Sequence, residues 1–371
     1  MSKIFELFGY RLDRWNKAAV KNREKAWCPF MDKECDGGGN RYLSAVDLKK
    51  NQRLKRYFPG KEKVQAGVCS LLLREGEQPW IVCPRRLLYL RANTHSEHQS
   101  HVRKQLAKYS QIESGKTYCV WSEVKIKIET RNSDDEAKSF DYTFDYIITG
   151  SGRKKVADVA ILTGKSEQAT LRDAEKSGYT VASRGGELWV DDFPSDPVII
   201  VEIMTSSTSG GDKNKRTQIA MAFEDAVIDP STHNGPTINY RQVWARMASQ
   251  LIVKSQVGIA WNGKTIWLLQ DVLANYISST TALDLSRYVA EHPNEVNILA
   301  FGYGADGIKS KKSIATLENS LFYAGLIDKN GSNGRSDGFI EIVKIGAPPK
   351  IDHLWRTLFK KKPCGSLTGK A

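Results

Sequence analysis

The chain reads as an α/β protein, a mixed sheet flanked by helices, on three observations. Apolar, β-branched runs of strand length recur through its central part, two of those runs carry a single carboxylate, and stretches with apolar residues at helical spacing follow them. Residues 1 to about 110 have a different character. They are loop-rich and basic, with Gly37-Gly38-Gly39 and Pro59-Gly60 as breakers.

In that first part, Val68 to Leu73 and Trp80 to Val82 read as short strands joined by the polar turn Arg74-Glu75-Gly76-Glu77. From Tyr118 the strands lengthen. Val124-Lys125-Ile126-Lys127-Ile128 alternates with period two, and the polar run Arg131 to Ser139 reads as a hairpin loop leading into Phe140–Ile148. Residues 153 to 195 hold further strand-like pieces, Val156–Leu162 and Glu187–Val190, and read as an insertion. Beyond the run ending at Thr205 comes a Ser/Thr/Gly loop. One helix is then expected over Asp212 to Val227, with Ile219, Ala222, Phe223 and Ala226 on a face, and a second over about Asn239 to Val257. Ile266–Leu269 and Val296–Phe301 read as strands separated by a helix. The division expected is 1–110, 111–359 and a basic, disordered tail over 360–371 that opens with Lys360-Lys361-Lys362-Pro363.

The formal charge is +13, from 55 Lys and Arg against 42 Asp and Glu. Such an excess suits a polyanionic partner as well as a solvated basic surface. No apolar run is long enough to span a membrane, and the first residues lack the pattern of a signal peptide, so a cytoplasmic protein with no membrane partner is expected. No Walker-type phosphate loop occurs.

The chemistry gathers in two places. The run Pro197-Val198-Ile199-Ile200-Val201-Glu202-Ile203-Met204-Thr205 sets one acid into an apolar strand, and Phe144-Asp145-Tyr146-Ile147-Ile148 sets in another. A carboxylate so placed is costly to bury without a metal or a partner. Two of them on adjacent strands make a cradle for a hard divalent cation such as Mg²⁺. Nucleases with such a cradle carry lysine two residues after the second acid, and here Met204 stands there. Asp158, in Val156-Ala157-Asp158-Val159-Ala160, is a rival for the role of Asp145.

The second place is the set Cys28, Cys35, Cys69 and Cys83, four thiols that suit one tetrahedral zinc or iron ion. Cys119 reads as a core residue and Cys364 as an exposed thiol. His95, His98 and His101 recur at intervals of three, in a polar stretch expected to be exposed.

Together, Cys28-Pro29-Phe30, Gly67-Val68-Cys69, Trp80-Ile81-Val82-Cys83-Pro84-Arg85-Arg86-Leu87, Phe144-Asp145-Tyr146, Val201-Glu202-Ile203-Met204-Thr205 and Gln242-Val243-Trp244-Ala245-Arg246-Met247-Ala248 resemble, in order, the NotI-type restriction endonucleases. The resemblance implies a restriction-endonuclease-like fold with a PD-(D/E)xK core. It further implies Mg²⁺-dependent cleavage of double-stranded DNA at a palindrome, a homodimer, and a loop-rich N-terminal region holding iron on four cysteines. Carried over, Asp145 and Glu202 hold Mg²⁺, Glu123 is an additional active-site acid, and Cys28, Cys35, Cys69 and Cys83 are the metal ligands. The family pattern has glutamine where Met204 stands. Lys213, eleven residues beyond Glu202, or Lys125 would then supply the ammonium, or metal-bound water would serve alone. Arg85, Arg86, Arg241, Arg246 and Lys254 are candidate DNA contacts, and the loop Ser206–Gly211 could approach a phosphate. The alternative is a non-catalytic DNA-binding protein with a degenerate nuclease core; a nicking or repair nuclease without sequence specificity is a third reading.

Overall fold

The computed structural model describes residues 2–38, 45–91, 96–131, 137–209, 211–280, 285–324 and 350–368. Its centre is a sheet built on a long antiparallel hairpin, Thr117–Arg131 and Ala137–Lys155. The second arm pairs on its other side with Glu187–Met204, again antiparallel. Lys264–Gln270 and Val296–Gly302 then extend the sheet in parallel, and Glu318–Ala324 closes that end antiparallel. Val181–Arg184 pairs with Glu187–Val190 off the main path. The fold is thus mixed α/β, with a mostly antiparallel sheet between helices. The three parallel strands are mainly apolar runs because helices or the N-terminal region cover both faces: Val198–Val201, Ile266–Leu269 and Val296–Phe301 are all buried, and the one polar residue among them, Asn297, donates to Thr265 O and Asn294 O.

The helix Tyr240–Ala260 starts where the Asn239 side chain accepts from the Gln242 N–H and lies against Glu187–Met204 and Lys264–Gln270. The two can approach closely because Gly258 offers no side chain; a Cβ there would meet Thr265 Oγ1 at 2.3 Å. The helix Ile351–Phe359 buries Leu354, Trp355, Leu358 and Phe359 in one cluster with Trp121, Ile147, Val198 and Ile200.

Three stretches differ from the sequence reading. Val156–Thr163 is a helix: its alanines lower the strand preference, and Gly164 closes it in the left-handed conformation at φ 66°. Between Asp212 and Arg216 the chain turns, and the helix begins only at Ile219. The tail is ordered at Gly365–Thr368, which pairs antiparallel with Thr117–Val120 at the sheet edge. Residues 132–136 of the expected hairpin loop lie outside the described residues.

The N-terminal part forms a four-stranded sheet, Tyr10–Arg11, Lys3–Leu7, Val68–Leu72 and Trp80–Ile81. One apolar cluster runs from Leu7, Phe8 and Phe58 through Phe223 and Met247 to Trp267 and Tyr323, so this sheet and the central one share a core. A buried ion pair fastens them. Glu6 and Arg86 are both wholly inaccessible, with Arg86 Nε and Nη2 donating to the two Glu6 oxygens at 2.9 and 3.0 Å. Ser70 Oγ and Tyr303 Oη also donate to Glu6 Oε2, and Arg86 Nη2 reaches Ala315 O. Arg86 is therefore a structural residue and no DNA contact. Removing one partner strands the other charge in the core, so Arg86→Ala is expected to lower the unfolding free energy by about 3–5 kcal/mol. Urea denaturation checks this; a loss below about 1 kcal/mol, the scale of an exposed pair, would show the network to be dispensable.

Candidate active site and cysteine pocket

The hairpin arm Ala137–Lys155 and the strand Glu187–Met204 pair Tyr146 with Val201, so Asp145 and Glu202 face each other at the next step of the register. Backbone N–H groups cross-link the two acids: Asp145 N donates to Glu202 Oε1 at 3.2 Å and Ile203 N to Asp145 Oδ2 at 2.8 Å. Glu202 is 1% exposed, whereas Asp145 is half-buried. Strand alternation sets this. Ile199, Val201 and Ile203 fill one side of the sheet, and Glu202 points to the other with Val198 and Ile200, toward the helix Tyr240–Ala260.

That helix returns a lysine. Lys254 lies on the buried face between Leu251 and Val257, and its Nζ stands 2.5 Å from Glu202 Oε2 and 5.7 Å from the centre of the Phe144 ring. It pairs with the acid inside the protein and is not a surface contact for DNA. Lys213 is exposed on the turn after the Ser/Thr loop, and Lys125 is exposed on the outer hairpin strand. Neither occupies the place of Lys254. The sequence carried a sign of it: in Leu251-Ile252-Val253-Lys254-Ser255 the lysine recurs at three-residue spacing with buried apolar residues, and a charge on such a face needs a partner. Met204 joins the apolar cluster that the N-terminal sheet shares with the helix Tyr240–Ala260.

Glu123 enters from the third strand. Phe144 pairs with Val124 and Tyr146 with Ser122, which leaves Glu123 at the register position opposite Asp145. Its backbone is left-handed at φ 52°, rare for a residue with a side chain, and its carboxylate is exposed. Asp158 is exposed in the first turn of the helix Val156–Thr163. The loop after Thr205 is stitched down, Ser206 N donating to Ile81 O and Ser209 N to Thr237 O; residue 210 lies outside the described residues.

Cys28, Cys35, Cys69 and Cys83 line one narrow cavity of about 10 Å³, room for about one water-sized sphere. Among the described residues, no three His, Cys, Asp or Glu side chains are gathered tightly enough to form a ready coordination shell. Four thiols are the donor type that a soft ion takes. Burial pushes the Cys28 thiol up to about 12 and raises Cys35; the Cys69 thiol shares a hydrogen bond with Cys83, which raises Cys69 and lowers Cys83. Arg85 lies beside this cavity, 3.1 Å from Asp36 and 3.5 Å from Glu123 Oε1, and is 14% exposed, so it too is engaged within the protein. Arg246 is exposed on the long helix, which also carries Arg241.

The histidines do not form a set. His98 is buried, its Nε2 on Leu87 O and its Nδ1 accepting from Leu317 N, and His101 packs edge-on against Phe301. Burial and the nearby Arg86 hold His98 well below its usual range, so it is a neutral core residue and not exposed as its neighbours in sequence suggest. His95 lies outside the described residues. Cys119 and Cys364 are half-buried free thiols. Among the described residues no helix is long and apolar enough to cross a membrane.

The chain matches no protein-family model, and no curated protein is significantly similar to it.

Burial first, and then the negative charge of Asp145, push Glu202 up from its ordinary 4.5 to about 8, with Lys254 drawing it part of the way down. The folded, metal-free protein therefore keeps a proton that the unfolded chain has lost between those two values. Stability contributed by this group is complete below the unfolded value and is lost as the pH rises. The melting temperature without divalent metal is expected to fall between pH of about 5 and about 8, and Glu202→Gln to remove that part of the slope; an unchanged slope in the variant would assign it to other groups.

Proposed function

We propose that this protein is a Mg²⁺-dependent endonuclease of the restriction type, cutting double-stranded DNA at a specific palindrome. The observation that carries this reading is the Asp145–Glu202–Lys254 constellation: two carboxylates back to back across a strand pair, one of them buried, with an ammonium 2.5 Å from the buried acid. The acid pair alone would be a liability in the core, and a divalent cation is the ligand that relieves it. The sequence resemblance to the NotI-type enzymes points the same way, and so does the +13 charge. The homodimer and the cytoplasmic setting follow from the resemblance and the composition.

Hydrolysis requires water to attack phosphorus in line, the bond from phosphorus to the 3′ oxygen to break, and that oxygen to take up a proton. Mg²⁺, when bound, polarises the phosphoryl oxygens and acidifies the attacking water. Asp145 and Glu202 would hold it, Asp145 from the more open side. Lys254 takes the part that the motif lysine plays elsewhere. Its charge eases ionisation of Glu202 and would offset the negative charge that builds on the phosphate. The hydrogen bonds from the Asp145 and Ile203 N–H groups fix one oxygen of each acid, and Lys254 holds the other oxygen of Glu202. Cys28, Cys35, Cys69 and Cys83 would hold a structural iron or zinc ion, losing protons as it binds.

Purified protein with plasmid and Mg²⁺ is expected to give discrete fragments. Asp145→Asn and Glu202→Gln should abolish cleavage, and Lys254→Met should slow it by about 10²–10³, the scale of losing one charge-stabilising donor, with DNA binding retained in all three. Binding without cleavage under any divalent metal would favour the non-catalytic alternative, and smears in place of bands a nuclease without sequence specificity. Elemental analysis should find iron or zinc, and Cys69→Ser or Cys83→Ser should release it and lower the melting temperature; metal-free native protein would remove that assignment.

A further inference from the structure

Arg85 joins two parts of the molecule that the proposed chemistry treats separately. It stands two residues after Cys83, in the first turn of the short helix Pro84–Leu87, and its partner Asp36 follows Cys35. Both side chains line the cysteine cavity. The guanidinium lies 5.2 Å from the centre of the Tyr89 ring, and a second of its nitrogens, Nη2, reaches Glu123 Oε1 at 3.5 Å. Glu123 in turn is held in its left-handed conformation from behind, where Lys361 Nζ donates to its carbonyl oxygen at 3.1 Å. The strand register puts this residue opposite Asp145.

Resting on the nuclease reading of that site, we infer that Arg85 is a positioning residue that aims Glu123 toward the Asp145–Glu202 cation site and makes its aim depend on the order of the cysteine cluster. A lysine would supply the charge but cannot bridge two carboxylates with a planar fork. Asp36 anchors Nε of the guanidinium and Glu123 takes Nη2. Loosening the loops that carry Cys35 and Cys83 therefore frees the arm that steers Glu123.

Electrostatics and positioning give opposite signs here, which makes the inference decidable. Removing a cation beside an acid site by itself tightens binding of Mg²⁺, whereas loss of an outer hydrogen-bonding partner of a ligating group weakens it, typically by about 10–100-fold. The experiment is calorimetric titration of Mg²⁺ into the full chain without DNA, for wild type, Arg85→Ala, Arg85→Lys, Asp36→Asn, Glu123→Gln and the double variant Arg85→Ala/Glu123→Gln. Arg85→Ala, Arg85→Lys and Asp36→Asn are each expected to weaken Mg²⁺ by about tenfold, and the double variant to be no weaker than Glu123→Gln alone. Asp36→Asn reports on the same link without touching the acid site, should Arg85→Ala fold poorly. Tighter or unchanged Mg²⁺ binding in Arg85→Ala and Asp36→Asn, or additive losses in the double variant, would overturn the positioning role alone. Mg²⁺ binding that survives Asp145→Asn and Glu202→Gln would overturn the cation site, and the inference with it.

Discussion

The Glu6–Arg86 pair is the constraint on which the rest of the architecture depends. It lies where the N-terminal strand Lys3–Leu7, the strand Val68–Leu72, the turn of helix after Cys83 and Tyr303 meet, and every partner hydrogen-bonds or stacks on the same two charged groups. A buried pair of this kind contributes little net stability compared with apolar residues of the same shape, but it tolerates no misplacement, because any shift strands a charge. Its consequence is register. Arg86 is committed to Glu6, its neighbour Arg85 turns to Asp36 beside the cysteine cavity, and the strand Trp80–Ile81 is held beside the strand that carries Glu202. Ser206 N on Ile81 O and Thr205 Oγ1 on Val82 O complete that seam.

The acid site obeys the same logic of buried charge with fewer groups. Glu202 is almost as inaccessible as Glu6, yet it has one ammonium and one backbone N–H where Glu6 has a forked guanidinium, a hydroxyl and a phenol. Asp145 adds a second negative charge alongside. The Glu6 carboxylate is thus the better satisfied of the two, and the charge of Glu202 is the less fully compensated. Apolar packing supplies the stiffness on which both rely. Each fully buried aliphatic side chain beside Glu202, such as Ile200 or Val201, contributes about 1.5–3 kcal/mol.

Much of this was legible in the sequence where the signal was local. The two acid-bearing strands, the strand pair around Ser70 and Ile81, and the grouping of four cysteines follow from residue type and spacing, and the structure brings each group together as a pattern of that kind demands. What stayed hidden depended on contacts between distant segments. Nothing in Pro84-Arg85-Arg86-Leu87 says which arginine is buried, since the answer lies with Glu6 and Tyr303. Lys254 was seen as a basic helix residue, and its meaning came only with the strand it packs against. Val156–Thr163 misled because β-branched residues at its start outweighed its alanines, and the left-handed Gly164 that closes it is a weak sign on its own. Gly365–Thr368 misled because a basic approach resembles a tail, while its pairing partner lies some 250 residues away.

That short pairing has a consequence for the protein's behaviour in a crowded solution. Gly365–Thr368 covers only Thr117–Val120 of the outer hairpin strand, and among the described residues Trp121–Arg131 pairs with no further strand on that side. An open strand edge of this length is a template on which other chains can assemble into aggregates. Along it stand Lys125 and Lys127, both exposed and both of one sign. A second copy approaching edge to edge would have to bury or oppose those ammonium groups. Lys125, one of the two lysines offered to catalysis, and Lys127 thus set positive charge along this edge, which disfavours assembly of copies through the sheet.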